Sequence, residues 1–252
     1  MPSFKTVIPA RLGSSRLPGK PLLDIAGKPM IVHVCERALE AGGDVFVATD
    51  DTRIMEAVAG LKVKALLTRV DHASGTDRIT EVAETEGWPD DTLVVNLQGD
   101  EPLMQPALVR QLAEALAEDR EASVATLAAP IGEAQEVFDP NAVKVVTNRQ
   151  GHALYFSRAP IPWHRDHFRE TQNSLPPESA WLRPIGISAY RAGFLRRYVR
   201  WPQSPLEQIE ALEQLRILWQ GEKIKVMTVA QPPHAGVDTP EDLARVSRIL
   251  AS

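Results

Sequence analysis

Four short apolar runs, each leading into a polar loop and then a helical pattern, set the first limit on what this chain can become. Residues 6–8 (Thr6-Val7-Ile8), 44–49, 63–68 and 92–97 read as strands. Residues 29–39, 53–59, 79–85 and 106–116 carry apolar spacing suited to helices. Strand followed by helix, repeated, predicts an α/β fold with a parallel sheet and helices on both faces. In such folds the loops that follow the strands lie at the carboxyl edge of the sheet, where ligands bind. At 252 residues, the chain is long enough for one large α/β domain or two small ones.

The first of these loops is the richest in chemistry. Strand 6–8 is expected to end at Pro9, which has no amide hydrogen to give a sheet. Ala10, Arg11, Gly13, Ser14, Ser15, Arg16, Gly19 and Lys20 follow. Glycines let backbone amides turn toward an anion, and Arg and Lys supply charge and forked donors. The loop reads as a polyphosphate cradle. It is not a P-loop, because Gly13 and Gly19 are too far apart and Lys20 is followed by Pro21. The dinucleotide fingerprint G-x-G-x-x-G is also absent.

Two further loops share that edge. After strand 63–68, Arg69, Ser74 and the Gly75 backbone offer donors and acceptors suited to reading a base, while Ser74 or Thr76 also suits a helix cap. After strand 92–97 comes Gln98-Gly99-Asp100-Glu101-Pro102, which is good turn chemistry. A carboxylate at that place, Asp100, also suits a hard cation such as Mg²⁺. Asp50-Asp51 suits a helix cap better than a metal. Asp238 stands just ahead of Thr239-Pro240, an N-cap and first-turn pair.

From about residue 130 the rhythm changes. Residues 153–156, 183–190 and 225–229 read as strands, 164–179 as irregular, and 192–201 as a helix whose Arg196, Arg197 and Arg200 form a solvated or interface face. Residues 205–219 give the best amphipathic helix, with Leu206, Ile209, Leu212, Leu215, Leu218 and Trp219 on one face. Glu207, Glu210, Glu213 and Gln214 then read as solvent-facing. His164 and His167 have no third ligand for zinc. The net charge of −5 gives no basic footprint for nucleic acid. The single cysteine, Cys35, reads as a buried structural thiol. No apolar run approaches 18 residues, so the expectation is a soluble, cytoplasmic protein with no membrane partner.

Ile8-Pro9-Ala10-Arg11, followed by Ser14-Ser15-Arg16-Leu17-Pro18-Gly19-Lys20-Pro21-Leu22, resembles the opening loop of the sugar-activating cytidylyltransferases. Residues 68–78 resemble their T-R-x-D-H-x-S-G-T-[DE]-R segment, and residues 95–102 their V-N-x-Q-G-D-E-P. Residues 141–146, 155–158, 212–216 and 236–243 are similar too, in the same order. Together they resemble the cytidylyltransferases that activate 3-deoxy-manno-octulosonate (Kdo). The resemblance implies a Rossmann-like nucleotidyltransferase sheet in a single catalytic domain, residues 1–252. Its nucleotide-binding half would be about 1–129 and its sugar-binding and dimerising half about 130–252, in a homodimer. It implies CTP and Kdo as substrates, with CMP-Kdo and diphosphate as products, for lipopolysaccharide synthesis.

By the same resemblance, CTP is held by Pro9, Ala10, Arg11, Lys20, Arg69, Ser74, Gly75, Gln98 and Asp100. Kdo is held by Arg16, Gln98, Arg158, Glu213 and Gln214. Asp100 and Asp238 hold Mg²⁺, and together with Arg11 and Lys20 they carry catalysis. One stretch departs from the family. Its R-H-x-G-x-Y reads here Arg183-Pro184-Ile185-Gly186-Ile187-Ser188, so a histidine and a tyrosine are replaced by Pro184 and Ser188. That opens the sugar pocket to a modified Kdo, such as the 8-amino sugar. Three rival functions compete with Kdo activation. One is a cytidylyltransferase for a different acid sugar such as a sialic acid, whose enzymes end the first loop in K-N. The second is a CTP-binding module without turnover. A glycosyltransferase would want a D-x-D motif that Asp100-Glu101-Pro102 does not supply.

Overall fold

A computed structural model of the chain describes residues 2–13, 17–177 and 181–251. In chain order, β1 (Phe4–Ala10) leads through a 3₁₀ turn (Lys20–Leu22) and a small ribbon, β2 (Asp24–Ile25) and β3 (Lys28–Pro29), into α1 (Met30–Ala41). Then come β4 (Asp44–Thr49), α2 (Thr52–Val58), β5 (Lys64–Leu67), α3 (Gly75–Thr85), β6 (Leu93–Asn96) and α4 (Pro106–Glu118). The middle of the chain holds β7 (Ala122–Pro130), α5 (Ala134–Phe138), β8 (Lys144–Thr147), β9 (Ala153–Ser157) and α6 (His167–Glu170). The rest is β10 (Leu182–Arg191), α7 (Ala192–Tyr198), α8 (Pro205–Glu210), α9 (Gln214–Trp219), β11 (Lys223–Thr228) and α10 (Pro240–Leu250). None of these helices is long and apolar enough to cross a membrane.

The chain forms two compact units, one of Met1–Ala117, Ile187–Val199 and Pro233–Ser252, the other of Glu118–Gly186 and Arg200–Pro232. In the first, β6, β1, β4 and β5 make a parallel sheet in that order, and the end of β10 runs antiparallel beside β6. This is the Rossmann-like α/β arrangement. Strands buried on both faces should read as continuous apolar runs, and Val7, Ile8, Val94 and Val95 are all fully buried. Helix α1 turns Ile31, Val34, Cys35 and Ala38 inward. Burial, with Glu36 nearby, pushes the Cys35 thiol up to about 12, so it is an inert packing group.

β1 does not end at Pro9. It continues to Ala10, with Pro9 opposite Ala48 and Ala10 opposite Thr49 of β4. The reason is local. Pairing with β6 stops at Val7 opposite Asn96, so Pro9 lies on an open side of the strand where no amide is required.

In the second unit β11 and β7 run parallel, β8 and β9 form an antiparallel hairpin, and Leu182 at the start of β10 pairs with Val145 of β8. Its separate core gathers Ile131, Val137, Phe168 and Trp181. Phe168 comes from α6, a short helix within the stretch expected to be irregular. The expected long helix over 205–219 is two short ones, broken at Ala211, whose φ of 52° is left-handed. Glu207 is 3% exposed instead of facing solvent and takes both arms of Arg216, while Ile209 is 79% exposed. A buried carboxylate with a forked partner outweighs the apolar periodicity. Arg196, expected on a solvated or interface face, is tied in the first unit to Asp90 and the Trp88 carbonyl.

Candidate functional site

The loops after β1, β5 and β6 open on one cleft of about 330 Å³ in the first unit. Pro9, Ala10, Arg11, Lys20, Ser74, Gly75, Gln98, Asp100 and Asp238 line it together. Arg69 does not. Its side chain is exposed and forks onto Asp71, and only its amide reaches inward, to Glu81. Arg16 lies outside the described residues. His72 and Arg78 also line the cleft; both belong to the 68–78 segment that resembles the family's, although neither stands out in the sequence as a site residue.

Two glycines bring the loops this close. A Cβ on Gly99 would stand 2.9 Å from the Pro9 carbonyl oxygen, so only glycine lets the turn after β6 approach the end of β1. A Cβ on Gly236 would stand 2.8 Å from the Asp100 carbonyl oxygen. That same oxygen accepts the Val237 amide at 2.9 Å, which sets Asp238 beside Asp100. Ser74 caps α3: its hydroxyl accepts the Asp77 amide, and the Asp77 carboxylate accepts from Ser74 in return. Thr239 and Asp242 repeat this at the start of α10, directly after Asp238. Ser74, Gly75 and Asp238 therefore sit where a helix begins, and Gln98, Gly99 and Asp100 just past the end of a strand.

The centre is a three-membered charge cluster. Lys20 Nζ donates to Asp100 Oδ2 at 2.7 Å and to Asp238 Oδ1 at 3.1 Å. Burial works against the Lys20 charge, but the hydrogen bonds and charges of Asp100 and Asp238 outweigh it and hold its pKa above the ordinary lysine value. The side chain is an ammonium. Beside it, burial and then the Asp100 and Asp238 charges push the Glu101 carboxyl up to about 7. Two carboxylates converging on one cation suit a hard divalent ion, which takes one or two protein carboxylates and fills its shell with phosphates and water. Among the described residues no group of three or more His, Cys, Asp and Glu side chains is placed to hold a metal. The chemistry of the pair therefore fits Mg²⁺ bound jointly with a polyphosphate.

The remaining sugar candidates lie in the second unit. Arg158 is half-buried and fixed by its own chain. Its amide donates to Glu210 Oε2 at 2.9 Å, Nε to the Glu210 carbonyl at 2.6 Å and Nη1 to the Pro140 carbonyl at 3.0 Å. Glu210, expected in solvent, also accepts from Ser157 Oγ at 2.7 Å. Lys144, fully buried, donates to the carbonyls of Asp139, Ala142 and Arg158. Glu213 precedes α9 and is exposed, and Gln214 is its first residue. Among the described residues, a wider groove of about 1050 Å³ in this unit is lined by Glu133, Glu136 and Asp139 with one cation, Arg183. Its acidity ill suits an anionic substrate.

The cytidylyltransferase family profile matches residues 6–224. A 3-deoxy-manno-octulosonate cytidylyltransferase of Methylococcus capsulatus is 61% identical over 98% of this chain and 97% of its own length. One from Yersinia enterocolitica is 57% identical over 98% of each. Among solved structures, CMP:2-keto-3-deoxy-manno-octonic acid synthetase complexed with CTP superimposes with a TM-score of 0.89. It is 46% identical, and the match covers 99% of both chains.

Proposed function

The chain belongs to the cytidylyltransferase family, and from that premise we propose that it couples CTP to Kdo, forming CMP-Kdo and diphosphate. The observation that carries this reading is the convergence of Arg11, Lys20, Asp100 and Asp238 on one cleft that Ser74 and Gly75 also line. Arg11 and Lys20 hold the triphosphate and neutralise the charge that grows on it. Ser74, the Gly75 backbone and Gln98 face the nucleoside. The anomeric 2-hydroxyl oxygen attacks the α-phosphorus in line, the bond to the β-phosphate oxygen breaks, and diphosphate leaves with the electron pair. The hydroxyl proton passes to solvent. Positioning and charge neutralisation do most of this, and no dedicated base is required. Asp100 and Asp238 would hold Mg²⁺, which supplies Lewis-acid charge at the phosphates and lowers the pKa of the attacking hydroxyl.

Arg158, Glu213 and Gln214 are the proposed readers of the sugar, Arg158 for its carboxylate and the other two for its hydroxyls. Arg16 is proposed alongside Arg158, and Arg69 alongside the nucleoside. The working form proposed is a homodimer in the cytoplasm, supplying CMP-Kdo for lipopolysaccharide, with both units in one catalytic domain.

A second reading concerns the sugar itself. Ser188 stands opposite Asn96 across the β10–β6 ladder, and cross-strand partners share a face. Asn96 is 5% exposed, and among the described residues nothing donates to its side-chain carbonyl oxygen. That oxygen is sealed from solvent, so the reading rests on the departure from the family pattern at Pro184 and Ser188, which favours a modified sugar such as an 8-amino Kdo. The test is diphosphate release with CTP and Mg²⁺ in the presence of Kdo, its 8-amino analogue or a sialic acid. Turnover with Kdo supports the first reading, and turnover mainly with the amino sugar supports the second. Bound CTP with no turnover of any of the three would overturn both.

A further inference from the structure

Of the Asp50-Asp51 pair that ends β4, Asp51 caps α2, accepting from the Arg53 amide. Asp50 faces elsewhere. Its Oδ1 accepts the Leu12 amide at 3.1 Å, and its Oδ2 accepts from Arg78 Nη2 at 3.2 Å. Leu12 belongs to the loop after β1, beside Arg11. Arg78 belongs to the first turns of α3, whose cap is Ser74. Arg78 is only 4% exposed, and its Nη1 donates to the Thr68 hydroxyl where the second loop begins. Thr68 gives both its amide and its hydroxyl to the Thr49 carbonyl, at 2.7 and 2.9 Å, one residue before Asp50.

The bonds therefore close a circuit from the phosphate side of the cleft, through Asp50 and Arg78, to the nucleoside side. A buried guanidinium is tolerated when its donors are matched, and its planar fork fixes the direction of both partners at once. The parallel ladder holds β1, β4 and β5 in register, but it does not hold the loops beyond them. Asp50 and Arg78 do.

We propose that Asp50 and Arg78 are positioning residues that couple the phosphate-holding loop to the base-reading loop, so that both ends of a nucleoside triphosphate are bound as one unit. The inference rests on the reading of this cleft as the CTP site. A ligand that touches both loops feels the coupling, and a ligand that touches one does not. Coupling between two subsites typically changes affinity by about 5- to 150-fold.

The experiment compares CTP, cytidine and inorganic tripolyphosphate on the full chain by calorimetry or NMR titration, at fixed Mg²⁺. Asp50→Asn keeps an acceptor for Leu12 and removes the charge facing Arg78. Thr68→Val removes one of the two Arg78 acceptors and leaves the ion pair, so it serves if Asp50→Asn does not fold. The expected result is a CTP Kd raised about tenfold, with cytidine and tripolyphosphate each changed by less than about twofold. The KM for CTP should rise while the KM for the sugar stays put. Unchanged CTP affinity, or equal weakening of all three ligands, would overturn the proposal. A wild-type chain that binds tripolyphosphate but not cytidine would instead overturn the CTP reading of the cleft, before any variant is made.

Discussion

In the first unit Lys20, Asp100 and Asp238 meet one another across three separate loops, side chain to side chain. In the second unit Lys144, Arg158 and Glu210 direct their hydrogen bonds mainly at the backbone. The first arrangement is held together by groups that a ligand's phosphates and cation can replace. The second holds the chain itself, and a substrate can use only what is left over. The same residue types thus serve exchange in one place and construction in the other, and the two should fail differently when altered.

The largest contrast is expected from Asp100→Asn. Diphosphate release should fall about 10³-fold, the cost of losing one charge-stabilising group, because the proposed cation would lose one of its two carboxylates, while thermal stability stays near wild type. A loss of folding instead would mean that the cleft cluster is also structural. Next comes Arg158→Lys, which keeps charge but not the fork. The sugar KM should rise about 10- to 100-fold, the range for a hydrogen bond to a charged group, with the KM for CTP unchanged. Equal shifts in both constants would erase the distinction between the regions.

Lys144→Met should do the reverse of Asp100→Asn. It leaves three carbonyls without their donor but also removes a buried charge, whose pKa burial already lowers. A net loss of about 2 kcal/mol is expected, read from urea unfolding, before any change in the KM for CTP. The smallest effect concerns pH. In the second unit, burial disfavours the Asp119 charge, but hydrogen bonds from His152 and the Ala122 and Glu121 amides outweigh it and hold its pKa below the ordinary 3.8. A depressed carboxyl stabilises the fold above its unfolded pKa, and that contribution is lost as pH falls through the folded value. Asp119→Asn should therefore flatten the acid limb of a melting-temperature profile below the ordinary carboxylate range. An unchanged limb would place the acid sensitivity elsewhere.

Much of the first unit was legible because its strands are buried on both faces and its helices carry strong caps. The strand at 44–49 appears with those bounds, and Thr239 caps α10 as its neighbour Pro240 announces. Nine of the cleft residues could be named because their loops resemble those of the cytidylyltransferases; position at the strand ends of an open α/β sheet pointed only to part of the set, and Asp238, just ahead of α10, was reached by the resemblance. Arg69 points elsewhere because Asp71, two residues on, accepts both arms of its fork. The contact between Arg78 and Asp50 was illegible, since it joins residues 28 positions apart and leaves no periodic trace. The second unit hid more. Apolar spacing over 205–219 gave no sign of the left-handed Ala211 or of the Glu207–Arg216 pair, both set by tertiary contacts.

The Lys20 bridge has a consequence for the order of events. The two aspartates come with a tethered counter-ion, so a divalent ion entering between them must displace an ammonium that has nowhere better to go. Phosphate oxygens change that, because they offer the ammonium a new seat. Cation and nucleotide should accordingly assist each other's arrival, with the linkage reciprocal in free energy. A chain altered at Lys20 to Met should then bind the bare cation more tightly than the natural one, even as it loses its hold on the triphosphate. On the proposed reading of Asp100 and Asp238 as the cation's ligands, the lysine would be a gatekeeper of stoichiometry, keeping that seat closed to ions that arrive without their substrate.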